Sequence, residues 1–225
     1  MPYLHGKSII KIAVADDHSM FREALALAID NFENCKVVIQ ASNGKELLEK
    51  LQQKPNTDLV LLDIRMPEMD GYETAKILHE KFPGIKILFC SVFKTELAIC
   101  KMAGAGGNGF ICKEASLQEI KKSIYEIMRN CYSFPNSNGG FLFNKDKNGS
   151  RIISKNNYQL SEKELQFMRK ICTEKIYKQI ASELGINDRQ ADYLRESLFS
   201  KFDVHCRVGL AVHAFESGIS QLETA

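Results

Sequence analysis

Two textures divide the chain. From Ser8 to about Cys131, short β-branched runs alternate with stretches of helical period. The runs Ile9–Ala15, Lys36–Gln40, Asp58–Asp63, Lys86–Cys90 and Gly109–Cys112 predict five strands. Two of them, within DLVLLDI and IKILFC, are apolar almost without interruption, as strands buried on both faces are. Between the runs, Phe21, Leu25, Ala28, Ile29 and Phe32 recur at helical spacing, as do Leu47, Leu48 and Leu51. Ser116–Leu117–Gln118–Glu119 spells a capping box that opens a last helix through Tyr125 and Met128. Strands that alternate with helices run parallel, because the helix serves as the crossover. The pattern therefore predicts an α/β fold with a doubly wound, five-stranded parallel sheet.

After Cys131 the pattern changes. Asn136–Asn157 is rich in Asn, Gly, Ser and Lys, with Phe141–Phe143 and Ile152–Ile153 as apolar islands, which is the composition of a linker. From Leu160 onward only helical periods occur. Ser161–Glu164 is a second capping box, Gly185 separates the helix patterns Tyr177–Leu184 and Asn187–Phe202, and a final helix runs from about Arg207 to Ser217. The expected organisation is an α/β domain over 1–132, a linker over 133–157, and a smaller all-α domain over 158–225.

Hydrophobic content of 44% and charged content of 26% are those of a soluble globular protein. No apolar run approaches the roughly 20 residues needed to cross a bilayer. Acidic residues interrupt the N-terminal region before it could serve as a signal peptide, so a cytoplasmic location without a membrane partner is expected. The seven cysteines are odd in number, never form C-x-x-C and sit mostly in apolar runs, which predicts buried thiols rather than disulfides or zinc. A net charge of +2 means that nucleic-acid binding would need a local basic patch.

The positions of the polar residues carry the chemistry. Asp16 and Asp17 end the first predicted strand, Asp63 ends the third, Ser91 follows the fourth and Lys113 follows the fifth. In an open parallel sheet all C-terminal strand ends share one edge, where ligands bind. Clustered carboxylates repel one another unless a cation joins them, and Mg²⁺ fits a site of few carboxylates that also meets a phosphate. A carboxylate beside such a site can attack a phosphoryl donor and become an acyl phosphate. Lys113 would neutralise one phosphoryl oxygen and the Ser91 hydroxyl would donate to another.

The segments IAVADDH, LLDIRMPEMDG, the lone Ser91 and GNGFICKEAS resemble the response-regulator receiver family over nearly all of Ile10–Met128. The separations of 28 residues from Asp63 to Ser91 and 22 from Ser91 to Lys113 are similar to that family's. The resemblance implies a flavodoxin-like fold with Asp63 as phosphoacceptor. It implies a Mg²⁺ site made by Asp17, Asp63 and the backbone carbonyl of Arg65, with Asp16 acting through water. It also implies an aromatic switch residue at Phe110 and an acceptor loop shaped by Pro67 and Gly71. Haloacid-dehalogenase enzymes use a strand-end aspartate too, but place a second carboxylate two positions later. Here that position is Arg65, which cannot protonate a leaving group, so the expectation is a regulator and not an enzyme.

LSEKELQFMRKI, YKQIASELGI and LFSKFDV resemble the LuxR-type helix-turn-helix family over about Leu160–Glu216, although Glu174 stands where that family has a glycine and Gln190–Ala191 replaces its Thr-Val. At about 3.6 residues per turn, Ala191, Leu194, Leu198 and Phe202 form one core stripe. The opposite face carries Arg189, Tyr193, Glu196 and Ser200, flanked by Asp192. The expected DNA contacts are Lys178, Arg189, Tyr193, Arg195, Ser200 and Lys201, with Arg207 as a further cation. From Arg151 on the chain is barely basic, with 11 Lys/Arg against 10 Asp/Glu. Together the resemblances imply a NarL/FixJ-type regulator. A sensor histidine kinase would phosphorylate Asp63, and the resulting homodimer would bind double-stranded promoter DNA. The alternative left open is an effector domain that binds little DNA and serves protein interaction or dimerisation.

Overall fold

A computed structural model describes residues 9–53, 56–92, 95–130, 132–135, 141–143, 160–217 and 219. Its elements run β1 (Ile10–Ala15), α1 (Ser19–Asp30), β2 (Cys35–Ala41), α2 (Gly44–Gln53), β3 (Leu59–Leu62), α3 (Gly71–Lys81), β4 (Lys86–Ser91), α4 (Glu96–Gly104), β5 (Gly109–Cys112) and α5 (Leu117–Met128). Then follow β6 (Tyr132–Pro135), β7 (Phe141–Phe143), α6 (Glu162–Ile171), α7 (Tyr177–Glu183), α8 (Asp188–Phe202) and α9 (Arg207–Glu216). The described residues form two compact units. One contains those up to Val92 together with Gly109–Arg129; the other contains those of Phe93–Asn108 and those from Asn130 onward.

In the first unit β1 to β5 are parallel, in the order β2-β1-β3-β4-β5. All five runs expected from the sequence are strands, displaced by no more than a residue at either end. The four residues of β3 are all buried, which is why that run is purely apolar. Leu25 and Ile29 of α1 and Ile120, Ile124 and Ile127 of α5 pack with Ile12, Val14, Leu61, Leu88 and Cys90 as one core cluster. Helices α2 and α3 pack on each other. The capping box at Ser116 and Glu119 opens α5 as expected.

The second unit departs from the sequence pattern in two ways. Phe141–Phe143, expected as an island in a linker, is strand β7 and pairs antiparallel with β6. Backbone pairing there won over a composition that favours irregular chain. The remaining linker positions, 136–140 and 144–157, lie outside the described residues. Helix α4 also belongs to this unit, packed against α9. Ala98, Ile99, Cys100, Met102, Ala103 and Gly104 of α4 are buried, as is every residue of α9 from Arg207 to Ala214. Gly104 permits the close approach, since a Cβ there would stand 2.8 Å from the Cβ of Cys172. The Lys101 ammonium pairs with Glu174 at 3.1 Å. Helices α6 to α9 lie where helical periods occur in the sequence. The α6 capping box is present, and Gly185, at φ 62°, makes the turn between α7 and α8.

None of the described cysteines is in a disulfide, and Cys35, Cys90 and Cys100 are buried. Burial pushes the Cys90 thiol up to about 12. Cys131 lies outside the described residues. Among the described residues no helix is long and apolar enough to cross a membrane.

Candidate functional site

Backbone hydrogen bonds at the strand ends assemble the first site. The Asp63 amide donates to Ala15 O at 2.9 Å, the Asp16 amide to Ala41 O at 3.1 Å, and the Lys113 amide to Ser91 O at 3.1 Å. Asp16, Asp63 and Ser91 are buried at that edge, whereas Asp17 is exposed. The Lys113 ammonium lies 2.7 Å from Asp16 Oδ2 and 2.7 Å from Asp63 Oδ2, bridging two strand ends. Burial, with Asp16 beside it, raises the Asp63 carboxyl above its ordinary value even though Lys113 pulls it down. Burial also works against the Lys113 charge, but the two carboxylates outweigh it and raise that group too.

Ligand atoms of Asp16, Asp17, His18 and Asp63 all fall within 4.8 Å of one another. His18 Nδ1 sits 2.8 Å from Asp17 Oδ1, and the His18 amide donates to Asp16 Oδ1 at 2.9 Å. The Arg22 guanidinium donates to the Asp16 carbonyl at 2.5 Å. The Lys113 ammonium also faces the Phe21 ring, 5.1 Å from its centroid. The sequence pattern does not mark His18, Arg22 and Phe21 as part of the site. Their signal is position, since the first turns of α1 follow directly on the acidic pair.

The other expected residues have distinct surroundings. Phe110 is buried in β5, in register with Phe89 of β4. Arg65 is exposed just after the acceptor. Gly71 is required for backbone clearance, because a Cβ there would fall 2.2 Å from the Asp63 carbonyl oxygen. The loop between them turns through Glu68 at φ 63°.

The second candidate site is α8. Ala191, Leu198 and Phe202 are buried and Leu194 half-buried, which is the core stripe projected from sequence. Arg189, Tyr193 and Ser200 are exposed on α8, as is Lys178 on α7, and Tyr193 keeps 73% of its surface open. The remaining cations are engaged within the fold. Lys201 pairs at 2.5 Å with Glu164, a buried carboxylate that also accepts from Ser197 and caps α6. Arg195 pairs at 2.9 Å with both Asp192 and Glu196, and lies 5.3 Å from the Tyr177 ring centroid. Arg207, expected as a cation for phosphate contact, is instead 2% exposed and donates to the Ile171 and Thr173 carbonyls. It satisfies the end of α6 from within, a role that helical period alone does not disclose.

Residues 12–125 match the response regulator receiver domain, and residues 158–214 match the luxR family of bacterial regulatory proteins. Over 219 residues the chain is 28% identical to the transcriptional regulatory protein LnrK of Bacillus subtilis, covering 94% of this chain and 99% of that protein. Over 220 residues it is 26% identical to the response regulator UvrY of Escherichia coli, covering 96% and 98%. Among solved structures, the receiver domain of the putative response regulator NarL from Mycobacterium tuberculosis matches 54% of this chain and 97% of its own, at 28% identity and a TM-score of 0.51. The fold over nearly the whole chain is shared with RcsB, solved as two dimers bound to two parallel DNAs. That match covers 94% of this chain and 99% of that one, at 18% identity and a TM-score of 0.52. The chain thus belongs to the response regulators, with a receiver domain followed by a LuxR-type helix-turn-helix domain.

Proposed function

We propose that this protein is a DNA-binding transcriptional regulator gated by phosphorylation of Asp63. The observation that carries the reading is the Asp16–Lys113–Asp63 bridge, in which both carboxylates are buried. It holds the Asp63 carboxyl, with its raised pKa, beside a cation, at a strand-end edge shared with Asp16 and Asp17. Asp63 accepts the phosphoryl group, Lys113 turns to one of its oxygens and Ser91 donates to another. The donor is a sensor histidine kinase or a small acyl phosphate. The donor set fits Mg²⁺, being rich in carboxylate oxygen, and Asp17, Asp63 and the Arg65 carbonyl would hold it, with Asp16 acting through water. When bound, the ion neutralises the charge that two carboxylates and a phosphoryl group bring together.

Domains of 1–132 and 158–225, joined over 133–157, divide this work between receiver and effector. Helix α4 offers a relay between them. It opens at Glu96, five positions after Ser91, and packs on α9 of the effector. A change in Ser91 and Phe110 would shift α4 and so alter the surface that α9 presents for pairing with a second copy. The dimer then places two copies of α8 on promoter DNA, with Lys178, Arg189, Tyr193, Arg195, Ser200 and Lys201 as the contacts. The internal pairing of Arg195 and Lys201 favours a second reading, an effector domain that binds protein more than DNA.

Intact-mass measurement after incubation with acetyl phosphate tests the gate. The wild-type chain should gain one hydroxylamine-labile phosphate with Mg²⁺ and none without it, and Asp63→Asn should gain none. Labelling of the Asn variant would remove Asp63 from its role.

A further inference from the structure

The Lys113 ammonium has three N–H bonds. Two of its neighbours are carboxylate oxygens, each at 2.7 Å, and a third neighbour is the face of Phe21. Phe21 is half-buried on α1 and packs on the same core as Leu25 and Ile29, so its backbone and ring are anchored from below. The Lys113 side chain is 14% exposed. A cation within about 6 Å of an aromatic centroid is attracted by the negative face of the ring, more strongly where water is excluded.

We propose that Phe21 is a positioning residue for phosphoryl transfer, holding the Lys113 ammonium over the acceptor edge through a cation–π contact. The inference rests on Asp63 being the phosphoacceptor. In the transfer, an Asp63 carboxylate oxygen attacks the phosphorus of an acyl phosphate. The new O–P bond forms as the bond to the donor's acyl oxygen breaks, and the carboxylate leaves with the electron pair. Asp63 is then a neutral acyl group with no carboxylate charge to offer Lys113, and the ammonium must move to a phosphoryl oxygen, where the charge now lies. Asp16 and the Phe21 ring are the partners that do not change during this step. They limit how far the ammonium can drift and how many arrangements it must lose on meeting the transition state. A leucine at the same place fills space without offering a negative face.

The test uses the full chain with Mg²⁺ and acetyl phosphate, with Phe21 replaced by 4-fluoro-, 3,5-difluoro- and 3,4,5-trifluorophenylalanine. These rings keep nearly the same shape while their faces lose negative potential in steps. The phosphorylation rate constant should fall in the same steps, by roughly two- to five-fold across the series. Phe21→Tyr should stay close to wild type, and Phe21→Leu should match the trifluoro ring. In a Lys113→Met background the fluorine series should be flat. Equal rates across the series, or an equal slope without Lys113, would overturn the proposal. If the Lys113→Met chain phosphorylates too slowly to follow, thermal unfolding of Phe21→Leu, Lys113→Met and the double variant in Mg²⁺-free buffer decides instead. Coupled losses support the contact and additive losses reject it. Absence of phosphate from wild-type protein, by contrast, would strike the acceptor assignment itself.

Discussion

Lys113 and Asp63 form a part-buried ion pair, with ammonium and carboxylate 2.7 Å apart and Asp16 equally close on the other side. Two carboxylates therefore share one cation, and the pocket is held together by charge it can barely balance. Removing the cation leaves both carboxylates buried and uncompensated. Lys113→Ala should destabilise the Mg²⁺-free receiver by about 3–5 kcal/mol, much of it recovered on adding Mg²⁺. Differential scanning calorimetry with and without the metal measures both halves, and an equal loss in the two buffers would count against the shared-cation account.

Asp63→Asn should move stability the other way. The folded-state pKa of Asp63 lies above its ordinary 3.8, so ionised Asp63 costs stability at any pH above the folded value. As pH falls below the ordinary value the folded and unfolded forms are both protonated and the cost disappears. The Asn variant should thus melt higher than wild type at neutral pH in Mg²⁺-free buffer, with the gap closing as the solution is acidified. A lower melting point at neutral pH would show that the Lys113 pair outweighs burial.

The first unit was largely legible from sequence because its strands are buried on both sides and so are written as unbroken apolar runs. Asp16, Asp63, Ser91 and Lys113 stood out as the polar residues ending those runs. What the sequence pattern does not show depends on contacts between residues far apart in the chain. Phe21 carries the same helical spacing as Leu25 and Ile29, and nothing in that spacing says that its ring faces a lysine 92 positions away. Helix α4, ELAICKMAG, is apolar on most sides, so periodicity could not say which partner covers it. Strand β7 is three residues set among Asn, Gly and Lys, too short for alternation to register. Arg207 has the composition of a surface cation and the position of an internal cap.

Glu164 ties α6 to α8 through Lys201. Burial works against its charge, but Lys201 and the Ser161 cap hold its carboxyl below the usual range. With a folded pKa below the ordinary 4.5, its contribution is present above that value and is lost as pH falls through the folded one. Lys201→Met should therefore lower helix-turn-helix stability at neutral pH by about 1–3 kcal/mol and make it less sensitive to acid. Hydrogen exchange of the α6 and α8 amides, followed by mass spectrometry in the full chain, reports this directly. Unchanged protection would mean that the Lys201–Glu164 pair does not tie α6 to α8.

The pairing of Arg195 with Asp192 and Glu196 lowers the charge that α8 offers to phosphate. Glu196→Lys adds a cation and releases part of Arg195, so affinity for arbitrary duplex DNA should rise. The slope of log affinity against log salt should steepen by about one to two phosphate equivalents. Fluorescence anisotropy over a salt series measures the slope, and no change would place Glu196 away from the DNA.

Cys100 is buried between α4 and its neighbours in the second unit, and burial raises its thiol pKa. If phosphorylation shifts α4 on α9, beryllofluoride with Mg²⁺ should expose Cys100 to maleimide, and Ser91→Ala should blunt the exposure. Gly104→Val, which crowds Cys172, should expose it without any phosphoryl mimic. Peptide mapping separates Cys100 from the other cysteines. Protection that is the same in all four samples would remove α4 from the relay.

The coupling of Asp63 to DNA is tested most directly by measuring the affinity of the full-length chain for genomic fragments before and after phosphorylation, at one fixed salt concentration, with Asp63→Asn beside it. The account predicts at least about tenfold tighter binding by the phosphoprotein, since two linked α8 contacts act at high effective concentration, and no change for the Asn variant. Equal affinity in all states, or no binding to any fragment by the fully phosphorylated chain, would contradict a phosphorylation-gated DNA-binding regulator and leave the protein-interaction module in its place.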